Sequence, residues 1–230
     1  MKILAIDTSS NICSVAILDD LNILYEYSSN DGLTHSQNLM PMIDEAFKKT
    51  SLSLKDIDLY SCSIGPGSFT GIRIGVSTVK AFVDVYSKPS IGISSLEGLS
   101  YNLDSEYVCS IIDAKHNNVY YALFKKDKAT NGYSLLTDLC ATSIDSCLLE
   151  LSQFGNNTIN FVGDGALIYK DKILDKFKNS ILASEDLNNQ NAVSIGKAAY
   201  IKYINNISSS SLSPLYLKKS QAEMMLDKNN

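Results

Sequence analysis

Short apolar runs alternate with polar turns along the first thirty residues. "KILAID" (2–7) gives way to "TSSN" (8–11) and then to "ICSVAILDD" (12–20), the pattern of a β-hairpin. A third strand is predicted around Ile23 to Ser28. The same design recurs in "VCSIIDAKHNNVYYALFKK", where a shift of 106 residues places Ile112 on Ile6, Asp113 on Asp7, Asn117 on Asn11 and Ala122 on Ala16. Later in each half an apolar strand runs into a glycine turn, "DLYSCSIGPG" and "TINFVGDGA". Helical stretches around 36–49 and 143–154 precede these strands, and another helix follows each. Self-similarity at about half the chain length predicts topology: an α/β architecture in which one mixed sheet with flanking helices is used twice, facing a cleft. The expected units are 1–104, 105–204 and a polar connector and tail, 205–230. Before the boundary, "SSLE" at Ser94 to Glu97 has capping-box spacing, while "NNISSSSLSP" reads as a flexible connector to "LYLKKSQAEMML".

The helix predicted over 72–86 carries two apolar stripes. At about 100° per residue, Ile72, Val76, Val79, Val83 and Tyr86 share one side, while Ile74, Ala81 and Val85 gather roughly opposite. A surface helix needs only one such stripe, so this helix is either internal to the fold or covered by a partner. On the first long helix, Leu39, Ile43 and Ala46 can face a core while Met40 and Phe47 sit on the flank, residue types common at interfaces.

Composition changes this picture little. With 230 residues, 45% hydrophobic and 20% charged, the chain can bury a sizeable core, and a net charge of -5 provides no global attraction to nucleic acid. Any RNA contact is expected to be indirect. Cys13, Cys62, Cys109, Cys140 and Cys147 stand among apolar neighbours without a CxxC pair, which reads as buried thiols in a reducing compartment. "MKILAIDTSS" has too short an apolar run for a signal peptide or membrane span, so a cytoplasmic protein is expected.

Candidate chemistry gathers at two turns. Asp7, followed by Thr8, Ser9 and Ser10, could hold a phosphate or a metal-bound water, or could simply organise its own turn. "SIGPGSFTGIRIG" (63–75) is neither a Walker loop nor GxGxxG, yet Gly65, Gly67 and Gly71 permit unusual backbone angles, and Ser68, Thr70 or Gly71 can cap the next helix. Its helix N-terminus could receive an anion, or the glycines could serve a tight turn alone. Arg73 is the sole arginine among 20 basic residues, and reads equally as a ligand or as a tie to loop carbonyls. His35 has Leu39 where a helical metal pair needs its second histidine, so no metal site is expected, and no GxSxG elbow occurs.

The ordered set "ILAIDTSSNICSVAIL", "THSQNLMPMIDEAF", "GPGSFTGIRIGVSTVKAF", "ISSLEGLS", "IIDAKHNNVYYALF" and "PLYLKK" resembles the bacterial TsaB (YeaZ) family from about Lys2 to Lys219. The resemblance implies an ASKHA fold, like actin, Hsp70 and sugar kinases, which agrees with the duplication. It implies a noncatalytic subunit that organises a TsaD-type threonylcarbamoyltransferase, modifying the adenosine beside the tRNA anticodon. The partners implied are that catalytic subunit in a heterodimer, a TsaE-type ATPase, a homodimer when alone, tRNA only indirectly, and no membrane. No cofactor is held tightly, with ATP or ADP expected only within the complex. TsaD-type relatives carry a histidine pair on the first long helix, and His35 with Leu39 departs from it. "PLYLKK" also has lysine where the family commonly has arginine. Under this resemblance the interface comprises Met40, Phe47, Ile74, Thr78, Ala81, Phe82 and Val85, and the glycine loop sets the entry angle of a partner-binding helix. An autonomous ATP-dependent kinase or phosphotransferase of the same fold is the alternative.

Overall fold

Residues 1–207 and 211–218 are described by a computed structural model. The first half runs β1 (Lys2–Asp7), β2 (Cys13–Asp19), β3 (Asn22–Ser29), α1 (His35–Thr50), β4 (Leu59–Gly65), α2 (Phe69–Tyr86), β5 (Ser90–Ser94) and α3 (Ser95–Ser100). The second continues through β6 (Tyr107–Asp113), β7 (Asn118–Asp127), β8 (Gly132–Leu135), β9 (Cys140–Ser143), α4 (Ile144–Leu151), β10 (Asn160–Val162), α5 (Asp164–Ile168), α6 (Lys170–Lys176), β11 (Ile181–Leu182) and α7 (Ala192–Ile204).

The duplication predicted from the sequence is present strand for strand. The first sheet is ordered β3-β2-β1-β4-β5, and the second repeats it as β8-β7-β6-β10-β11, with β9 added beside β7. In both sheets the hairpin pairs are antiparallel and the two later strands join in parallel. One detail differs from the 106-residue shift. Asp7 pairs with Ser14 but Asp113 with Val119, so the second hairpin is one residue shorter and Tyr121, not Ala122, occupies the place of Ala16.

Each sheet is buried on both faces, which is why its central strands read as nearly continuous apolar runs. Leu4, Ile6, Val15 and Ile17 pack under α1 and α2, while Ile3, Ala5, Ala16 and Leu18 on the other face meet Ala192, Ile195, Ala198 and Ala199 of α7. Thus the last helix of the second half covers the first sheet. Reciprocally, Leu96 and Leu99 of α3 pack on Val108, Ile112 and Ala122 of the second sheet. The two crossing helices are joined by an ion pair, Lys202 Nζ to Glu97 at 2.9 Å, with both side chains largely buried. The capping box expected at α3 is therefore only half formed: Ser94 Oγ accepts from the Glu97 N–H at 3.0 Å, but the Glu97 carboxylate serves Lys202 instead.

The tail also differs from the sequence reading. Residues 211–218 do not form a free connector: Leu212 is buried in the first core, and the Leu215 N–H donates to Ile64 O at 2.7 Å. Leu217 packs on the second half, and Lys218 Nζ donates to Ala114 O at 3.3 Å. This segment straps the two halves together. The rest of "LYLKKSQAEMML", from Lys219, lies outside the described residues, as do residues 208–210 of the predicted connector.

Candidate functional site

Strand β1 delivers Asp7, Thr8 and Ser9 to a buried turn at the end of the first hairpin. The glycine loop entering α2 lies directly on that turn. Ser68 N–H donates to Ser9 O at 2.7 Å, and Thr8 Oγ1 donates to Gly71 O at 2.7 Å. Ser9 spends both its N–H and its hydroxyl on Asp7 Oδ1, at 2.8 and 2.6 Å. Ser68 Oγ caps α2 by accepting from Gly71 N–H at 3.2 Å. The glycines are required by this approach of two backbones: a Cβ on Gly71 would lie 1.9 Å from Thr8 O, and one on Gly67 2.1 Å from Ser9 O.

Ser68 and Gly71 of the loop thus bond to the β1–β2 turn and to each other. His35 Nε2–H donates to Ser10 O at 2.8 Å, fastening the start of α1 to the same turn, while Leu39, one turn later, is buried in the core. Among the described residues no cluster of three metal-ligating side chains occurs. Thr70 is exposed. Gly65, at φ +106°, faces the strap, where Leu215 O would lie 2.7 Å from a Cβ. Arg73 donates through Nε to the Tyr216 hydroxyl at 2.7 Å, while Tyr216 stacks on Phe69 with ring centroids 4.5 Å apart. Arg73 therefore ties down the strap rather than the loop carbonyls, a role that no local sequence signal announces.

Burial pushes the Asp7 carboxyl from its ordinary 3.8 up to about 6, against the opposing pull of the Ser9 bonds and nearby His35. The folded protein then holds this proton more tightly than the unfolded chain, so stability falls as pH rises from about 4 to about 6. At about 1.36 kcal/mol per pH unit the loss is about 3 kcal/mol. Asp7→Asn keeps an acceptor for Ser9 and removes the charge, and is expected to raise the thermal midpoint at pH 7 and to flatten its fall between pH 4 and 6. A lower midpoint for Asp7→Asn at pH 7 would show that the carboxylate is stabilising.

Between the two halves a small cavity of about 170 Å³ is lined by Ser10, Asn11, Asn30, Asp164 and Gln190, among others. Asp113, the counterpart of Asp7, is likewise occupied locally, pairing with Lys115 Nζ at 2.7 Å and accepting from its N–H at 3.1 Å.

The outer face of α2 resolves which stripe points where. Ile72, Val76 and Val79 are buried, whereas Val85 is 72% exposed, Ala81 is exposed, and Ile74 and Thr78 are half-buried. Val83 and Tyr86, expected on the core stripe, are only half-buried. Phe82, expected at the interface, lies instead in the chain's own core, its ring 5.8 Å from that of Tyr60. On α1, Met40 is exposed and Phe47 half-buried.

The family model described as "TsaD: tRNA N6-adenosine threonylcarbamoyltransferase" matches residues 32–224. The chain belongs to the TsaD family. Within that family the resemblance to TsaB (YeaZ) read from its motifs is borne out. It is 28% identical to the Haemophilus influenzae tRNA threonylcarbamoyladenosine biosynthesis protein TsaB over 95% of this chain and 94% of the relative. The Escherichia coli TsaB is 34% identical over 56% of this chain and 57% of the relative, so that match spans just over half of each. In fold, YeaZ from Pseudomonas aeruginosa superimposes with a TM-score of 0.76 at 20% identity, covering 94% of this chain and 99% of that one. The ROK hexokinase of Thermus thermophilus gives 0.52 at 10% identity, covering 90% and 100%. This TsaD-family chain therefore has the actin-like ASKHA fold, as its duplicated sheets require.

Proposed function

We propose that this chain is the noncatalytic subunit that binds and organises a TsaD-type threonylcarbamoyltransferase during threonylcarbamoyl modification of tRNA. Involvement in tRNA threonylcarbamoyladenosine biosynthesis follows from the TsaB relatives; the organising role is our reading. The observation that carries it is the outer stripe of α2, exposed at Ala81 and Val85 and half-buried at Ile74 and Thr78. Its 4-3-4 spacing continues along one helix face while the opposite face is already spent on the core. The Asp7 turn and the glycine loop support the noncatalytic half of the reading, because Thr8, Ser9, Ser68 and Gly71 spend their donors on the turn and the loop themselves. A cleft cavity of about 170 Å³ is also small beside the ~300–1,000 Å³ typical of ligand sites. ATP or ADP then acts within the assembled complex, with a TsaE-type ATPase, and tRNA is held by the partner.

Reconstitution tests this. Purified TsaD-type enzyme, TsaE-type ATPase, activated threonylcarbamoyl donor and tRNA are expected to give modified adenosine at a rate that drops strongly when this chain is left out, while this chain alone transfers nothing. Full-rate modification without it, or transfer by it alone, would overturn the proposal. Micromolar ATP binding to the isolated chain, lost on Asp7→Ala, would favour the kinase alternative.

A further inference from the structure

Edge strand β3 carries two tyrosines two residues apart, so Tyr25 and Tyr27 stand on one face of the sheet. Their partners on β2, Ile17 and Val15, belong to the core beneath α1, so that face is the one α1 covers. Beside them α1 presents Pro41, Met42 and Glu45, and with Asp31 these groups line a cavity of about 420 Å³. At about 100° per residue, Met40 and Phe47 fall on the opposite flank of α1, so the cavity is separate from the proposed partner surface.

The lining is aromatic and acidic, with no lysine, arginine or histidine among the described residues that form it. Asp31 Oδ1 accepts from Asn38 Nδ2 at 2.8 Å and from Leu33 N–H at 3.1 Å, bonds that hold its carboxyl below the usual range and keep it charged. Glu45 meets Lys49 at 3.7 Å, with both side chains more than half exposed, a loose pair that a ligand can displace.

We propose that this cavity binds an aliphatic diamine or polyamine, its ammonium groups on Asp31 and Glu45 and its methylene chain along Tyr25, Tyr27 and Met42. The tyrosine faces attract cations through the ring quadrupole, and the alkyl chain gains from covering apolar surface. Two carboxylates call for two ammonium groups, and the volume falls in the range of small-molecule sites rather than that of a lone ion. Phosphate-bearing ligands are repelled by the same charges, which separates this cavity from any nucleotide or RNA function.

Titration of the full chain with putrescine, spermidine, butylamine and hexane-1,6-diol, followed by calorimetry and by tyrosine ring NMR shifts, tests the proposal. Both polyamines are expected to saturate one site at millimolar concentration or below, with butylamine about tenfold weaker and the diol silent. Glu45→Gln is expected to weaken putrescine about tenfold and Tyr27→Ala about fivefold, at unchanged thermal midpoints, while Val85→Asp binds as the parent does. Equal effects of diol and diamine, non-saturating binding, or an unchanged constant for Glu45→Gln would overturn it.

Discussion

Val85→Asp is expected to leave this chain folded and to abolish its copurification with the TsaD-type partner. The side chain is 72% exposed, so the new carboxylate stays hydrated in the monomer and costs little. In the proposed complex the same charge would be buried without a counter-ion on an apolar contact, at a cost on the order of several kcal/mol. A loss of about 4 kcal/mol lowers affinity roughly a thousandfold. Ala81→Asp, on the same stripe, is expected to act alike. Val79→Asp and Phe82→Asp are expected to unfold the protein, because both residues lie in its own core. Size-exclusion chromatography with thermal melts of each variant separates the two outcomes. Val85→Asp that still copurifies undiminished would remove the outer face of α2 from the interface.

Gly71→Ala is expected to be the most damaging change of a single methyl group. In an ordinary helix this substitution stabilises by about 1 kcal/mol. Here the added Cβ would sit 1.9 Å from Thr8 O and 3.0 Å from the His35 ring, and Thr8 Oγ1 would lose its bond to Gly71 O as the backbones parted. Overpacking of this kind costs about 3 kcal/mol or more, which for a chain of this size lowers the thermal midpoint by roughly 6–12 °C. Thr70→Ala, at an exposed neighbour, is expected to stay within about 0.5 kcal/mol of the parent. A midpoint for Gly71→Ala equal to or above the parent's would mean that the loop does not rest on the Asp7 turn as described.

These variants also bear on how the loop reads. "GPGSFTGIRIG" looks like a phosphate cradle because glycines before a helix free N–H groups and let backbone approach a ligand. In the fold the approaching group is the chain's own β1–β2 turn, so the same glycines serve contact between two backbones. Sequence could leave both readings open, since the feature that separates them is the identity of an atom some sixty residues away.

What the sequence by itself determined is what acts locally or repeats. Short, nearly continuous apolar runs, β-branched side chains and punctuating turns made β1, β2, β6 and β7 legible, and the repeated order made the doubled sheet legible before any pairing was known. The motifs also carried the family. What only the tertiary structure decided is where long-range packing chooses among equal local options. Both stripes of α2 were apolar, and only the position of β4 and Tyr60 sent Phe82 inward and Val85 outward. Helices α3 and α7 cross to the opposite sheets because each sheet has a second apolar face to cover, a demand that no segment states alone. Residues 211–218 look like a solvated tail, yet Leu212 and Leu215 pack on the first core, Tyr216 stacks on Phe69, and Leu217 and Lys218 reach the second half. Tyr25 and Tyr27 read as part of a third strand, and became the wall of a cavity only when α1 laid Glu45, and the loop before it Asp31, beside them. Local physics selects elements, while burial of apolar area, summed over residues far apart in the chain, selects their neighbours.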